Sequence, residues 1–329
     1  MDEYRFELAL CAAIEATTDS IIARQLGGGV TAPGGRIFDI VRIEPGTEFP
    51  ERQAITSEAI PIEAIESPVG PGIARRWPGQ LDIHPEHATR IKERAIEIGF
   101  FERASAIGPD MVRQTTAYPD WIGTITAIEN KPTLERPGKM LMQLQRDISL
   151  GLVDYVILAT QSHVTGAHLN RIPAAVGVWR ISIEGETVTR DVLREPTRLE
   201  SAAWGLEIGS GTPTTRQINP VAPAEKHTAR IQLAERAYGK GWRPALPGCS
   251  AAATARIAGT NSLPYCQWKE TIIDPAGCTS HCPRFDPAPS PDIDLAAERT
   301  ARTPWDHDPP GVARTQAGLT AEWENTLSE

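Results

Sequence analysis

The sequence has no apolar run near the roughly 20 residues that a membrane-spanning helix requires. It also lacks the basic segment and apolar stretch of a secretory leader, since Asp2, Glu3 and Arg5 stand at its start. These absences argue against a helical membrane protein and against a secreted one. We therefore expect a soluble, cytoplasmic protein without a membrane partner. Its 329 residues suffice for one large domain or two ordinary ones.

Lysine is scarce as well. Only six of the 33 basic residues are lysines, while Asp and Glu together number 42 and the formal net charge is −9. Such a charge ordinarily argues against a nucleic-acid partner, because phosphate binding needs a positive surface. The same balance is typical of salt-loving archaea, whose proteins stay soluble in molar salt through an acidic surface. On that interpretation, net charge decides little about partners.

Periodic patterns predict an α/β core within residues 1–185. The predicted elements are a helix at 3–16, a strand at 36–43, a strand at 122–131, a helix at 138–151, and strands at 154–160 and 176–181. This order of elements predicts a mixed sheet flanked by helices.

Three further regions accompany this core. Residues 55–117 have two helical patterns followed by a hairpin pattern at 100–114, which predicts a winged-helix-like insertion or a plain structural one. Residues 186–285 form a C-terminal region that carries four clustered cysteines. Residues 286–329 are rich in Pro, Asp and Ala, which predicts a poorly ordered tail.

The chemistry-bearing motif is Glu129-Asn130-Lys131, at the polar end of an apolar strand. Because side chains alternate along a strand, Glu129 and Lys131 point to the same face. Hydrolysis of a phosphodiester requires stabilised charge and an activated water, which one or two Mg²⁺ ions supply. Mg²⁺ prefers carboxylate oxygens, and a nearby lysine can orient the water.

In this motif and its flanking elements the chain resembles the PD-(D/E)xK nuclease superfamily. The resemblance implies a restriction-endonuclease-like fold in which Asp39 and Glu129 hold the metal and Lys131 activates water. It also implies a role for Glu7 of the first helix and for Gln143 or Gln145 of the later one. The RecB-type pattern has Tyr four residues after that Gln, where this sequence has Asp147 or Ser149.

Two aspartates compete for the role of the first metal ligand. Pro119-Asp120 matches the motif literally, yet Ile122 to Lys131 reads as one strand. At ~3.3 Å per residue, nine extended residues would separate Asp120 from Glu129 by about 30 Å. Asp39 on an adjacent antiparallel strand meets the distance condition. We therefore favour Asp39, and Asp120 is the alternative if Gly123 breaks the strand.

Cys249, Cys266, Cys278 and Cys282 are separated by 16, 11 and 3 residues. Four thiolates suit tetrahedral Zn²⁺, and the last spacing is usual for such sites. An iron–sulfur cluster also uses four thiolates, and Cys11 could then supply an early ligand. Four unconnected reduced cysteines are the third interpretation. We favour a structural Zn²⁺ site.

The first hypothesis is therefore an Mg²⁺-dependent nuclease acting on DNA, with a C-terminal zinc segment. The second is a non-catalytic nucleic-acid-binding or scaffold protein that keeps the fold and the zinc. The third is a regulatory zinc protein whose sheet is incidental. No pattern in the sequence indicates an oligomer interface.

Overall fold

The computed structural model describes residues 2–31, 35–53, 61–70, 74–97, 100–114, 119–135, 139–209 and 215–304. Within these residues the strands are β1 (Ile21–Gly27), β2 (Ile37–Pro45), β3 (Arg75–Arg76), β4 (Phe101–Arg103), β5 (Met111–Gln114), β6 (Ile122–Asn130), β7 (Tyr155–Thr160), β8 (Gly177–Glu184), β9 (Thr187–Arg194), β10 (Gly205–Ile208), β11 (Ile218–Val221), β12 (Ala252–Ile257), β13 (Thr260–Cys266) and β14 (Thr271–Ile272). The helices in the same ranges are α1 (Glu3–Thr17), α2 (Phe49–Gln53), α3 (Ile62–Glu66), α4 (Pro85–Glu97), α5 (Met140–Leu150), α6 (Gly166–Arg171), α7 (Pro223–Lys240) and α8 (Leu295–Arg302).

The principal element is a six-stranded sheet in the order β1-β2-β6-β7-β8-β9. The pairs β1–β2, β2–β6 and β8–β9 are antiparallel, whereas β6–β7 and β7–β8 are parallel. The mixed sheet with flanking helices that the sequence predicts is thereby confirmed. β6 runs without a break past Gly123, where an added Cβ would lie 2.8 Å from the carbonyl oxygen of Glu44.

Helix α1 packs on one face of this sheet. The Asp2 side chain caps the helix by accepting from the Arg5 N–H at 2.8 Å, so the helix begins at Glu3. Phe6 and Leu10 of α1 share a core with Ile40 of β2 and Ile128 of β6. Because strand side chains alternate, the neighbours of these isoleucines point to the opposite face.

The chain divides into two compact units, and residues 46–121 belong to the second. Its sheet has the order β3-β5-β4, so the predicted hairpin is present and gains a third strand. Trp77, Phe101 and Val112 pack with Ile91 of α4 in a separate core. The helical pattern near 56–66 corresponds to α3, and residues 54–60 lie outside the described ranges.

The C-terminal region lies in the same compact unit as the six-stranded sheet. It contains a sheet in the order β12-β13-β14 and the helix α8. Residues 286–304 are therefore ordered, contrary to the prediction for the tail, because Arg299 donates to backbone carbonyls of α7 and Arg302 donates to Glu15 of α1. Residues 305–329 lie outside the described part of the chain.

No helix in the described ranges is long and apolar enough to cross a membrane.

Asp154 anchors the start of β7 to β6 and α7. Its carboxylate accepts from the Ile125 N–H at 2.8 Å, from Arg230 at 2.7 Å and from the Ser201 hydroxyl at 3.1 Å. Burial raises the pKa of Asp154, but the hydrogen bonds from Arg230 and Ile125 outweigh it and lower that pKa overall. The charge is therefore matched by its partners, and this junction fixes β6 in the sheet.

We expect Asp154→Ala to lower the free energy of unfolding by about 3–5 kcal/mol, because Arg230 would lose its buried partner. The control is Asp191→Ala, which breaks an exposed ion pair with Arg180 on the strands β8 and β9 and should cost at most about 1 kcal/mol. Chemical denaturation measures both. Equal losses in the two variants would show that Asp154 does not anchor the sheet.

Candidate functional site: a carboxylate cluster at the end of strand β6

Asp39 and Glu129 lie side by side at the end of β6. The antiparallel register pairs Ile40 with Ile128, so the next pair outward is Asp39 and Glu129. Side chains directly opposite each other in such a pair have Cβ atoms about 5 Å apart. The backbone N–H of Asn130 also donates to Asp39 Oδ2 at 2.9 Å. The two carboxylates predicted as metal ligands are therefore brought together.

Asn130 connects this pair to Glu7 on the other face of the sheet. Its side-chain Nδ2 donates to Glu7 Oε2 at 2.9 Å, and Gln25 donates to the same oxygen at 2.8 Å. Arg24 forms an ion pair with the other Glu7 oxygen. The Asn130 Oδ1 atom is buried and has no partner among the described residues. Glu7 thus reaches the strand end through Asn130 and holds the motif in position.

Arg36 joins Glu129 to Asp147 of α5. Its Nη2 lies 2.8 Å from Glu129 Oε2 and 2.7 Å from Asp147 Oδ2, and its Nε donates to Asp147 Oδ1 at 2.8 Å. The Glu129 and Asp147 side chains are each only 2% exposed. The Arg36 guanidinium also stacks over the Phe38 ring, at 5.2 Å from its centroid. One buried cation thus serves two buried carboxylates.

The carboxylates outnumber the cations that compensate them. Burial, with the nearby charge of Glu129, raises the pKa of Asp39 to about 7. Burial likewise raises the pKa of Glu129, although the charge of Arg36 opposes it. Asp147 also has a raised pKa, through burial, against the hydrogen bond from Arg36. This end of the sheet therefore carries more negative charge than its own residues neutralise.

Lys131 lies two residues beyond Glu129, and its ammonium is 2.7 Å from Glu3 Oε1 of α1. Burial lowers its pKa, but the hydrogen bond that it donates to Glu3 and the charges of Glu3, Glu129 and Asp39 raise it overall. The lysine is therefore charged near neutral pH; it pairs with Glu3 of α1 and interacts electrostatically with Glu129 and Asp39.

Gln143, predicted as the polar residue of α5, is half-buried and makes no side-chain hydrogen bond to a described residue. Gln145 donates to Ser149 on the same helix. The α5 residue that reaches the cluster is Asp147, four positions after Gln143, through Arg36. The roles of Gln143 and Gln145 stay predictions. Asp147 is a site residue, although in the sequence it stands out only because the RecB-type pattern has Tyr at that position.

The four late cysteines line one cavity of about 350 Å³. Cys266 is the last residue of β13, and the backbone of Cys249 forms an isolated antiparallel β-bridge with Pro287. Cys278 follows a short 3₁₀ turn, and burial together with the charges of the other three thiols raises its pKa. Lys269 and Arg284 also line the cavity. Folding therefore collects the thiols that the sequence separates.

Cys11 is a residue of α1 and does not line this cavity. Its side chain is fully buried in the core that α1 shares with the sheet. Among the described residues, no group of three or more His, Cys, Asp or Glu side chains is arranged to hold a metal ion. Metal binding by the four cysteines together would therefore require side chains to rotate.

A family model described as a family of unknown function, DUF5787, matches residues 21–287. The chain belongs to this family. The DUF5787 match runs from β1 to just beyond Cys282, so it includes Asp39, Glu129 and Lys131 and leaves α1 outside. The comparisons with curated proteins and with solved structures each find no match.

The DUF5787 region thus contains two groups of side chains with different chemistry, one of carboxylates and one of thiols. Asp39 Oδ1 and Glu129 Oε1 accept no hydrogen bond from a described residue, so each carboxylate keeps an oxygen for a hard cation such as Mg²⁺. The cysteine cavity offers sulfur, which suits Zn²⁺. The carboxylate cluster is the one that carries acid–base and charge-stabilising groups together.

Proposed function

We propose that the protein is a Mg²⁺-dependent nuclease that hydrolyses phosphodiester bonds in DNA, with Asp39 and Glu129 as the metal ligands. The observation that carries the proposal is the pairing of these carboxylates on adjacent antiparallel strands, with Lys131 beside them. The order α1, β1, β2, β6, α5, β7 supports the restriction-endonuclease-like core that the resemblance implies.

The residues present fit a divalent cation on electrostatic grounds. Asp39 and Glu129 are neighbouring carboxylates with raised pKa values, and among the described residues Arg36 forms ion pairs with Glu129 and Asp147 but not with Asp39. A cation between the pair would remove their repulsion. Mg²⁺, when bound, would offset charge on the phosphoryl oxygens and activate a water molecule.

The chain's own residues would position the substrate and stabilise charge. Lys131 presents an ammonium next to the carboxylates, where it can orient the attacking water or offset charge on the phosphate. Glu3 and Glu7 act on the site as positioning residues, through Lys131 and Asn130 respectively. Arg36 must leave Glu129 Oε2 if that oxygen is to bind the metal, because the same atom now accepts from its guanidinium.

The insertion has both exposed and paired basic side chains, and the exposed ones without an ion pair to a described residue are Arg75, Arg76 and Arg90. Its order of α3, β3, α4 and a hairpin is compatible with the winged-helix-like insertion and with the plain structural one. Arg94 pairs with Glu97, Arg103 with Glu93, and Arg113 with Glu102. Lys92 is paired with Asp110. The proposal of DNA as substrate therefore rests on the carboxylate cluster and not on this unit.

One observation favours the second function, a non-catalytic nucleic-acid-binding or scaffold protein. Arg36 already forms a bidentate pair with Asp147 and a further bond to Glu129, so these three side chains satisfy one another without a metal. In that case the cluster would fix α5 on the sheet. Cleavage and metal dependence distinguish this function from the nuclease.

We expect the purified protein to cleave DNA in the presence of Mg²⁺, and we expect EDTA to stop this cleavage. Asp39→Asn and Glu129→Gln should lose activity by about 10²–10³-fold, and Lys131→Ala by about 10²-fold, because each removes a charge that stabilises the transition state. A gel assay on single-stranded, double-stranded, branched and nicked DNA measures this.

The controls are Asp191→Asn and Arg256→Ala, which alter exposed ion pairs with Arg180 and Glu186. Both should cleave like the wild type. The nuclease proposal fails if the folded wild type cleaves none of these substrates in Mg²⁺ or Mn²⁺. It fails equally if Asp39→Asn cleaves as fast as the wild type.

We further propose that the cysteine cavity holds a structural Zn²⁺ ion. Four thiols from four points of the chain line a single cavity of about 350 Å³, which supports a Cys₄ site. Four thiolates around Zn²⁺ leave a net charge of about −2, and Lys269 and Arg284 in the cavity wall would offset it. Ligation at Zn–S distances of about 2.3 Å requires the thiols to draw together.

We expect the purified protein to contain about one zinc per chain by elemental analysis, and Cys278→Ser with Cys282→Ser to lose it. Cys11→Ala is the control and should keep the metal, because that thiol lies in the α1 core. If the protein instead contains iron and absorbs broadly in the visible range, the site holds an iron–sulfur cluster and not zinc. A folded wild type with no metal and four titratable thiols would overturn the metal site altogether.

A further inference from the structure

A second cavity, of about 330 Å³, lies next to the carboxylate cluster, between α5 and the hairpin of β10 and β11. Arg36 and Asp147 stand in its wall, so it shares these two residues with the cluster. Its lining residues are Gly28, Gly35, Arg36, Arg146, Asp147, Leu150, Glu207, Ile208, Gly209 and Asn219.

Arg146 is the basic residue of this cavity that makes no ion pair with a described residue. Its Nε atom is buried without a hydrogen bond to any described residue. Its Nη2 reaches the Gly209 carbonyl only at 3.5 Å, the limit of a hydrogen bond. Buried guanidinium donors without acceptors are costly. An anionic acceptor in the cavity would relieve that cost.

The two acids of the cavity wall are already engaged. Asp147 accepts two hydrogen bonds from Arg36. Glu207 accepts from the backbone N–H groups of Val30 and Thr31, at 2.9 and 2.7 Å. These donors offset the two acids only in part. Arg146, whose charge opposes the effect of burial and lowers the pKa of Asp147, keeps its buried Nε–H without an acceptor among the described residues. The cavity therefore favours an anion that a guanidinium can bind, and phosphate matches its donor geometry.

The size of the cavity limits what can enter. Pockets for small ligands begin at about 300 Å³, so this one accepts a phosphate with a single nucleoside and not a duplex. Asn219 in the wall already donates to the Thr31 hydroxyl and accepts from Gln217, and its second N–H is left for a base or sugar edge.

We propose that this cavity is a subsite for one phosphate-bearing nucleotide of the substrate, bound by Arg146, next to the bond that the carboxylate cluster cleaves. As a substrate subsite it rests on the proposed nuclease function. Arg36 couples the cavity to the carboxylate cluster, because a phosphate in the cavity would compete with Glu129 for the Arg36 guanidinium. Nucleotide binding would then free Glu129 Oε2, and by linkage nucleotide and metal would strengthen each other's binding.

The test is calorimetric binding in EDTA, where no cleavage occurs, with deoxyadenosine 5′-monophosphate, inorganic phosphate and deoxyadenosine as probes. We expect the nucleotide to bind most tightly, inorganic phosphate more weakly, and deoxyadenosine not at all. Arg146→Gln should weaken nucleotide binding about tenfold or more, through the loss of a charge-assisted contact. Arg256→Gln, an exposed arginine outside the cavity, is the matched control and should bind like the wild type.

Equal affinity of the wild type and Arg146→Gln would overturn the subsite, as would no binding of the nucleotide below about 10 mM by the folded wild type. Tighter binding of deoxyadenosine than of its monophosphate would also overturn it. These outcomes are independent of the nuclease proposal, because cleavage is measured separately with Mg²⁺. A protein that cleaves DNA but binds no nucleotide in EDTA keeps its proposed function and loses the subsite.

Discussion

Two buried carboxylates, Glu129 and Asp147, share one guanidinium at the end of β6, and the half-buried Asp39 beside them has no ion pair among the described residues, so acidic charge is in excess. Arg36 satisfies Glu129 and Asp147 and leaves Asp39 with the Asn130 N–H as its one hydrogen-bond donor among the described residues. Because burial penalises a charge that lacks a counter-ion, the pKa of Asp39 rises to about 7. A fold that needed these side chains only for stability would do better with a neutral residue at this position. The excess negative charge around Asp39 and Glu129 is therefore the feature that favours a bound cation at this end of the sheet.

The arrangement around this cluster combines three regions of the chain. The α1 helix supplies Glu3 and Glu7 from one face, and the sheet supplies Asp39 and Glu129. From the other face α5 supplies Asp147, so the rigid sheet holds acids from both layers at one edge. The second cavity extends this edge through Arg36, which couples the carboxylates to Arg146.

Local patterns predicted the sheet, whereas the pairing of Asp39 with Glu129 came from the family resemblance together with the distance argument against Asp120. Strand periodicity places β2 and β6, and an unbroken β6 makes an adjacent strand the place for the second ligand. The same reasoning could not find Arg36 or Asp147 as site residues. Their contact spans 111 positions and depends on how α5 packs, which no local pattern encodes. The cysteines were grouped correctly by their clustering, but the cavity that unites them depends on the turns between β13 and Cys282.

The most direct measurement of the central claim is thermal unfolding of the wild type and Asp39→Asn at pH 8, in EDTA and in Mg²⁺. If the cluster carries excess charge that a cation relieves, the variant should unfold about 2–5 °C above the wild type in EDTA, because the amide keeps an acceptor for Asn130 and removes the charge. Mg²⁺ should then raise the unfolding temperature of the wild type and leave that of the variant unchanged. A variant less stable than the wild type in EDTA, with no effect of saturating Mg²⁺ on either protein, would contradict the account.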